Sequence, residues 1–147
     1  MRNFSMLLIV AVATFLISCA VEPEAVSYGE DQCDFCKMGV VDKAHSAQYV
    51  TNKGKQFKFD AIECLIREIA DPEIIEQDLA FILVADYSNP GKMINASDAI
   101  FLISKAIKSP MGANLSAFSK EEDAKQTATD KGGETYNWVG IKAHFKK

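Results

Sequence analysis

The chain has 147 residues, a length that suits one ordinary domain and leaves little room for a second. Hydrophobic residues make up 48% and charged residues 24% of it, which excludes a disordered chain and a membrane protein with several spans. The formal net charge of -4 is spread along the chain without a basic stripe, which argues against a nucleic-acid partner.

Residues 1–18 have the features of a cleaved secretion signal. Arg2 precedes an apolar core at 6–17, which is too short to cross a bilayer comfortably as a helix. The tetrapeptide Leu16-Ile17-Ser18-Cys19 resembles a bacterial lipobox, in which the chain is cut before the cysteine and that cysteine carries the lipid. Several acyl chains on one residue make a stable anchor. We therefore predict lipidation at Cys19, with an ordinary signal peptide and a coincidental cysteine as the alternative.

The segment 19–32 is polar and acidic and contains a proline, which is typical of a tether between an anchor and a folded domain. Ala20, rather than an aspartate, follows the cysteine, and this favours the outer membrane. The predicted organisation is a signal peptide at 1–18, a lipid-anchored tether at 19–32 and a domain at 33–147, on the periplasmic side of a bacterial membrane.

The first half of the domain has the predicted order strand, strand, helix, strand. Residues 47–51 and 56–59 flank a polar turn that contains glycine, which predicts a hairpin. Asp60 and Glu63 have the spacing of a capping box, and apolar residues follow at helical spacing. Residues 79–85 form a continuous apolar run, which is typical of a central strand.

The second half repeats this order. Strands are predicted at 99–103 and 114–118, and Ser119 with Glu122 forms a second capping box at the start of a helix. The helix is expected to stop at Gly132-Gly133.

A last strand is expected at 136–139, where the chain reads Tyr-Asn-Trp-Val. The predicted fold class is therefore α+β, with two similar β-β-α-β units packed into one small domain.

Candidate metal ligands concentrate at residues 33–39, which read Cys-Asp-Phe-Cys-Lys-Met-Gly. In an extended chain, residues two apart project to the same side, so the sulfurs of Cys36 and Met38 can converge on one ion. A thiolate and a thioether are soft ligands, which select Cu(I) over hard cations. Met111 offers a third sulfur, because Pro110 and Gly112 hold it on a turn.

Other roles for the cysteines stay open at this point. Loss of Cys19 to the lipid leaves three cysteines, an odd number in a compartment where thiols tend to pair. Cys33 and Cys36 have a thiol-exchange spacing, although they precede a strand rather than a helix. Cys64 is predicted to be half-buried on the first helix and is an alternative disulfide partner for Cys33.

Zinc is less well matched by the sequence, because a structural zinc site needs a second pair of ligands. Only Cys64, His45 and His144 are available, at irregular spacing. His45 is expected to be a solvated loop residue, and His144 is expected to lie in a frayed terminus.

Several of these motifs occur together in one order along the chain. They are Cys36-x-Met38-x-Val40, a short hairpin, Phe59-Asp60-x-x-x-Cys64-Leu65, Pro110-Met111-Gly112, Ala117-Phe118 and Gly132-Gly133. In order and approximate spacing they resemble the NosL family of copper-binding lipoproteins, over about residues 33 to 140.

The resemblance implies a lipid-anchored Cu(I) metallochaperone that supplies copper to nitrous oxide reductase, whose catalytic centre is a copper-sulfide cluster. It implies a fold of two β-β-α-β units and makes Cys36, Met38 and Met111 the copper ligands. It does not settle a further ligand, so Cys33 and His45 remain candidates.

The sequence contains no acid-base pair, nucleophile with histidine and carboxylate, or phosphate-cradling loop, so we do not expect an enzyme. The alternatives are a thiol-disulfide redox protein that uses Cys33 and Cys36, a general periplasmic copper-homeostasis protein, and a structural lipoprotein.

Overall fold

The computed structural model describes residues 20–146. Within that range, every helix is too short or too polar to cross a membrane. The predicted signal peptide and the predicted lipidation site at Cys19 lie outside the described residues.

Two antiparallel sheets and three helices make up the domain. The first sheet has the strand order β2-β1-β3-β4, and the second has the order β6-β5-β7. The first sheet comprises β1 (Ala47–Thr51), β2 (Gln56–Phe59), β3 (Leu79–Ala85) and β4 (Met93–Asn95). The second comprises β5 (Ile100–Ile103), β6 (Leu115–Phe118) and β7 (Glu134–Tyr136). The helices are α1 (Ile62–Ile69), α2 (Glu121–Lys131) and α3 (Trp138–Phe145), and a short 3-10 turn spans Glu76–Asp78.

The internal repeat predicted from element order is confirmed. In each half, a hairpin is followed by a helix and by a third strand that pairs antiparallel with the first strand of the hairpin. The sheet orders β2-β1-β3 and β6-β5-β7 are therefore equivalent. The strand β4, which extends the first sheet, and the helix α3 lie outside the repeat.

The main core lies between the two sheets and the helices α1 and α3. Successive residues of a strand face opposite sides of its sheet. Phe101 of β5 accordingly joins the main core, whereas Leu102 joins a second, smaller core under α2 with Phe118 and Ala124. The described range holds both cores and all the strands and helices named here, so a fragment that starts at Ala20 contains a complete folding unit.

The segment predicted as a tether lies partly against the first sheet. The Gln56 side chain donates a hydrogen bond to the backbone oxygen of Glu22 at 3.0 Å, and Lys58 Nζ donates to that of Ala25 at 3.0 Å. Tyr28 shares a hydrogen bond of 2.9 Å with Ser46. The contacts cover the face of this sheet that is turned away from the main core. The part of the segment that can act as a free tether is therefore shorter than 19–32.

Both predicted capping boxes are wrong. The residue before α1 is Ala61 and the residue before α2 is Lys120, and neither helix start has a side-chain cap. Glu63 is instead buried inside the domain, and the Ser119 hydroxyl donates to Asp86 at 2.7 Å. The polar groups that the local pattern assigns to helix caps form tertiary hydrogen bonds instead.

The predicted strand at 136–139 is also wrong beyond its first residue. Tyr136 ends β7, and the Asn137 side chain then accepts a hydrogen bond of 2.7 Å from the backbone N–H of Gly140. This is an N-cap, and it starts α3 at Trp138. The strand β4 was not predicted, because three residues are too few to show a period.

Asp86 joins the two sheets. It is fully buried after β3 and accepts hydrogen bonds from the backbone N–H and the hydroxyl of Ser119, which follows β6. Ser88 N and Asn89 Nδ2 also donate to it, at 3.1 and 3.0 Å. Burial alone would raise the pKa of Asp86, but these hydrogen bonds outweigh burial and hold the pKa below its usual range.

We expect Asp86→Ala to lower the free energy of unfolding by about 2 to 4 kcal/mol, because it leaves several buried donors without an acceptor. Chemical denaturation at neutral pH measures this loss. Asp98→Ala, which removes an exposed carboxylate, is the control and should change the stability by less than about 0.5 kcal/mol. Equal effects of the two substitutions would contradict the role given to Asp86.

The lowered pKa also sets the sign of a pH effect. The stabilisation by ionised Asp86 is complete above the unfolded-state pKa of about 4 and is lost as the pH falls through the lower folded-state pKa. Asp86→Asn should therefore flatten the acid limb of the stability curve.

Candidate metal centre

The first half of the centre is a tight turn at residues 33–38. The backbone N–H of Cys33 donates to the oxygen of Met38 at 2.7 Å, and that of Lys37 donates to the oxygen of Cys33 at 2.9 Å. Lys37 has a φ of 65°, in the left-handed region that non-glycine residues rarely adopt. The turn folds back so that the N–H of Cys36 points at the sulfur of Cys33, 3.5 Å away.

This turn is fixed to the edge strand β2 by two hydrogen bonds between the same two residues. The backbone N–H of Asp34 donates to the oxygen of Lys58 at 2.9 Å, and the N–H of Lys58 donates to the carboxylate of Asp34 at 2.8 Å. Because β2 leads directly into α1, the turn is held beside the start of that helix.

The second half of the centre comes from the start of α1. Asp60 directly precedes the N-cap residue Ala61, Cys64 lies in the first turn of α1, and both are buried, with exposed fractions of 2% and 0%. One donor atom from each of Cys33, Cys36, Asp60 and Cys64 lies within 4.8 Å of all the others. The thiol of Cys36 donates to Asp60 Oδ1 at 3.4 Å, while Asp60 Oδ2 is buried and has no hydrogen-bond partner among the described residues.

The buried thiols are hard to ionise without a metal. Burial raises the pKa of Cys33, although backbone N–H donors from Cys36 and Asp60 oppose this. Burial also raises the pKa of Cys64, and the nearby Asp60 carboxylate adds to this. Metal binding at either thiol therefore has to displace a proton.

All three cysteines in the described range are free thiols. The structure thus favours neither of the disulfides considered from the sequence. Cys64 is fully buried rather than half-buried as predicted, whereas Cys36 is partly exposed. Cys36 is therefore the thiol of the cluster that solvent reaches.

Met38 ends the cysteine turn and is 53% exposed, so it is not a core methionine. Met111 is half-buried and packs on the edge of the main core, as Cys36 also does. Its loop is held to α1 by the buried carboxylate of Glu63, which accepts hydrogen bonds from the hydroxyl of Ser109 and from the backbone N–H of Ala113 at 3.2 Å. The loop of Met111 is therefore attached to Glu63, the residue that precedes Cys64.

The two histidines lie outside the cysteine cluster. His45 is only 4% exposed, so the expectation of a solvated residue is wrong. Its Nδ1 is 2.8 Å from Asp42 and its Nε2 is 3.2 Å from Ser116, so both ring nitrogens are engaged. His144 is exposed on α3, where its ring lies 5.3 Å from that of Tyr136, and it is not in a frayed end.

Sequence reasoning missed two residues of this region. Asp60 and Glu63 were assigned to a helix cap, yet one contacts the thiol of Cys36 and the other holds the loop of Met111. Their spacing to Cys64 on one helix start was the available signal, but a polar residue at a helix start has the same local pattern in either role.

Fold and site together define a small α+β domain with a thiol-rich candidate centre for a soft metal. The profile of the NosL family matches residues 25–145, and the chain belongs to that family. The resemblance inferred from the motifs is thereby confirmed.

The chain is also similar to two proteins of known name. It is 28% identical over 129 residues to the copper-binding lipoprotein NosL of Stutzerimonas stutzeri, and the match covers 83% of this chain and 67% of that protein. It also matches the crystal structure of the copper chaperone NosL from Shewanella denitrificans with a TM-score of 0.71 at 22% identity, over 82% of this chain and 95% of that one. The structural match supports the α+β fold.

Proposed function

We propose that the protein is a Cu(I) carrier rather than an enzyme, and that it binds the ion through Cys36, Met38 and Met111. The observation that carries the proposal is the position of Cys36, a partly exposed thiol at the edge of a buried thiol cluster, on a turn that also presents an exposed methionine. The names of the two relatives, a copper-binding lipoprotein and a copper chaperone, support copper as the metal.

The chemistry of the donors favours the reduced ion. One thiolate and two thioethers are soft ligands, and Cu(I) is the soft ion among the common biological oxidation states of copper. A site with two or three sulfurs leaves the ion open to an incoming ligand, whereas a closed tetrahedral site would hinder release. This is the property that a carrier requires.

The half-exposed setting of the ligands suits transfer to a partner. Met38 is more than half exposed, and Phe35 and Val41, on either side of it in the chain, are exposed as well. A partner that docks on this surface reaches the copper ligands without unfolding the domain. Cys36 then stays bound to copper while the thioethers exchange for ligands of the partner.

We propose that the chain is attached through a lipidated Cys19 to the periplasmic side of a bacterial membrane, in keeping with the lipobox-like sequence and the lipoprotein name of one relative. The outer membrane is the proposed location. The proposed client is nitrous oxide reductase, which needs copper for its copper-sulfide centre, and general copper homeostasis is the alternative.

A Cu(I) titration tests the proposed ligands. We expect the reduced chain from Ala20 on to bind its first Cu(I) in competition with a chromophoric Cu(I) chelator under anaerobic conditions. Cys36→Ser, Met38→Leu and Met111→Leu should each weaken this binding by at least about tenfold, since loss of a residue that merely supports a ligand already costs about 10–100-fold.

Met93→Leu is the matched control for the two methionine variants. Met93 is a half-buried methionine on β4, and its replacement should leave the affinity for Cu(I) unchanged. Binding that is insensitive to Met38→Leu and Met111→Leu would contradict the proposed ligand set, even if the chain binds copper.

The proposed client is tested by transfer. The Cu(I)-loaded chain should raise the copper content of copper-free nitrous oxide reductase, measured by metal analysis after the two proteins are separated. An equal amount of Cu(I) on the Met38→Leu variant should transfer less completely. Equal delivery to an unrelated copper-free protein would favour general copper homeostasis.

A further inference from the structure

We infer that Cys33 and Cys64 form a second Cu(I) position inside the domain, in which two thiolates bind the ion in a linear arrangement. This position lies behind the one proposed above and shares none of its ligands. The inference rests on the proposed function only for the identity of the metal.

The upper limit on the separation of the two sulfurs is compatible with this geometry. They lie within 4.8 Å of each other. Metal–thiolate bonds are about 2.3 Å long for the similar ion Zn(II), so two sulfurs on opposite sides of one ion are about 4.6 Å apart. That separation lies inside the limit, so Cys33 and Cys64 are close enough to bind one ion from opposite sides.

The environment of the Cys33 sulfur is that of a metal-bound thiolate. The backbone N–H of Cys36 points at it from 3.5 Å. A hydrogen bond to a sulfur favours its ionised form, which is the form that binds metal. A cysteine that only fills space in the core does not need a backbone donor.

The turn that supplies this donor has Lys37 in the left-handed region, at a φ of 65°. Such a conformation is unfavourable for a residue with a side chain and persists only where its surroundings determine it. Here the turn aims the N–H of Cys36 at the Cys33 sulfur. The strained backbone and this donor thus point to the same ligand.

The interior position is filled after the exterior one. Cys33 and Cys64 are both fully buried, so an incoming ion reaches them only after passing Cys36. The exterior position lies at the partly exposed Cys36, which an incoming ion reaches directly from solvent. The first equivalent of Cu(I) therefore binds outside and the second inside.

Cys36 connects the two positions, because its sulfur lies within 4.8 Å of the other two. An interior ion moves outward when its bond to Cys36 forms as its bonds to Cys33 and Cys64 break. The Cys36 thiol gives up one proton as it binds, and the two released thiolates take up two, so one proton comes from water. Copper stays in the Cu(I) state throughout. The interior ion can thus refill the exterior position after transfer.

The role of Asp60 distinguishes the proposed Cu(I) site from a zinc site. Zn(II) would take the carboxylate as a fourth ligand beside three thiolates, in tetrahedral geometry. A linear Cu(I) site needs no oxygen ligand. The binding of the second Cu(I) should therefore survive Asp60→Asn.

The test is the stoichiometry of Cu(I) bound by the reduced chain from Ala20 on, in competition with a chelator. The wild-type chain should bind two ions, and Cys33→Ser and Cys64→Ala should each bind one, with the first ion still sensitive to Met38→Leu. Cys36→Ser should keep the interior ion and lose the exterior one. Circular dichroism of each variant shows whether it is folded.

X-ray absorption of the wild-type chain gives a readout that needs no variant. The spectrum of the second equivalent, obtained by difference, should show two sulfur neighbours at one distance. A single bound ion that depends on Met38 and is unaffected by Cys33→Ser would overturn the interior position and leave the proposed function intact. A single ion that depends only on Cys33 and Cys64 would overturn the proposed function instead. Preferential Zn(II) binding that is lost in Asp60→Asn would overturn the assignment to Cu(I).

Discussion

The packing of the cysteine turn against the start of α1 is the constraint on which the site depends. The turn is tied to β2 by the paired hydrogen bonds of Asp34 and Lys58, and β2 runs straight into Asp60. The turn, which is distant from Cys64 in the chain, is thereby held beside it. The thiol cluster comes from this turn, which precedes the first β-β-α-β unit, and from the start of α1 within that unit. The second unit adds only the loop of Met111, through the buried carboxylate of Glu63.

The difference in exposure among the sulfurs gives the site a direction. Cys33 and Cys64 are sealed from solvent, Cys36 is partly exposed, and Met38 is mostly exposed. Thiolates hold Cu(I) more strongly than thioethers do, because they carry a charge, but buried thiols must first be ionised. The ligands thus change from buried thiols in the interior to an exposed thioether at the surface, where a partner can take the ion.

Much of this could be predicted from the sequence where the signal was local. The hairpin at 47–59 and the central strand at 79–85 follow from alternation and from an apolar run, and their bounds agree with β1, β2 and β3. The choice of Cys36, Met38 and Met111 as ligands came from spacing, turn residues and family resemblance, and it stays a prediction.

The remaining features depend on contacts between distant parts of the chain. Asp60 and Ser119 look like helix caps because a cap and a buried acceptor or donor have the same local sequence, and only tertiary packing decides between them. The approach of Cys33 to Cys64 across 31 positions has no local signal at all. The error at 136–139 is different, because the cap residue Asn137 lies among β-forming residues, Tyr136, Trp138 and Val139, whose local pattern predicts a strand.

The most direct test of a copper site centred on Cys36 is the rate at which this thiol is alkylated with and without metal, read by mass spectrometry of the chain from Ala20 on. In the metal-free protein Cys36 should react well before the buried Cys33 and Cys64. One equivalent of Cu(I) should suppress that reaction strongly, because the bound thiolate is no longer free to attack. A Cys36 that reacts as fast with copper as without it would contradict the account.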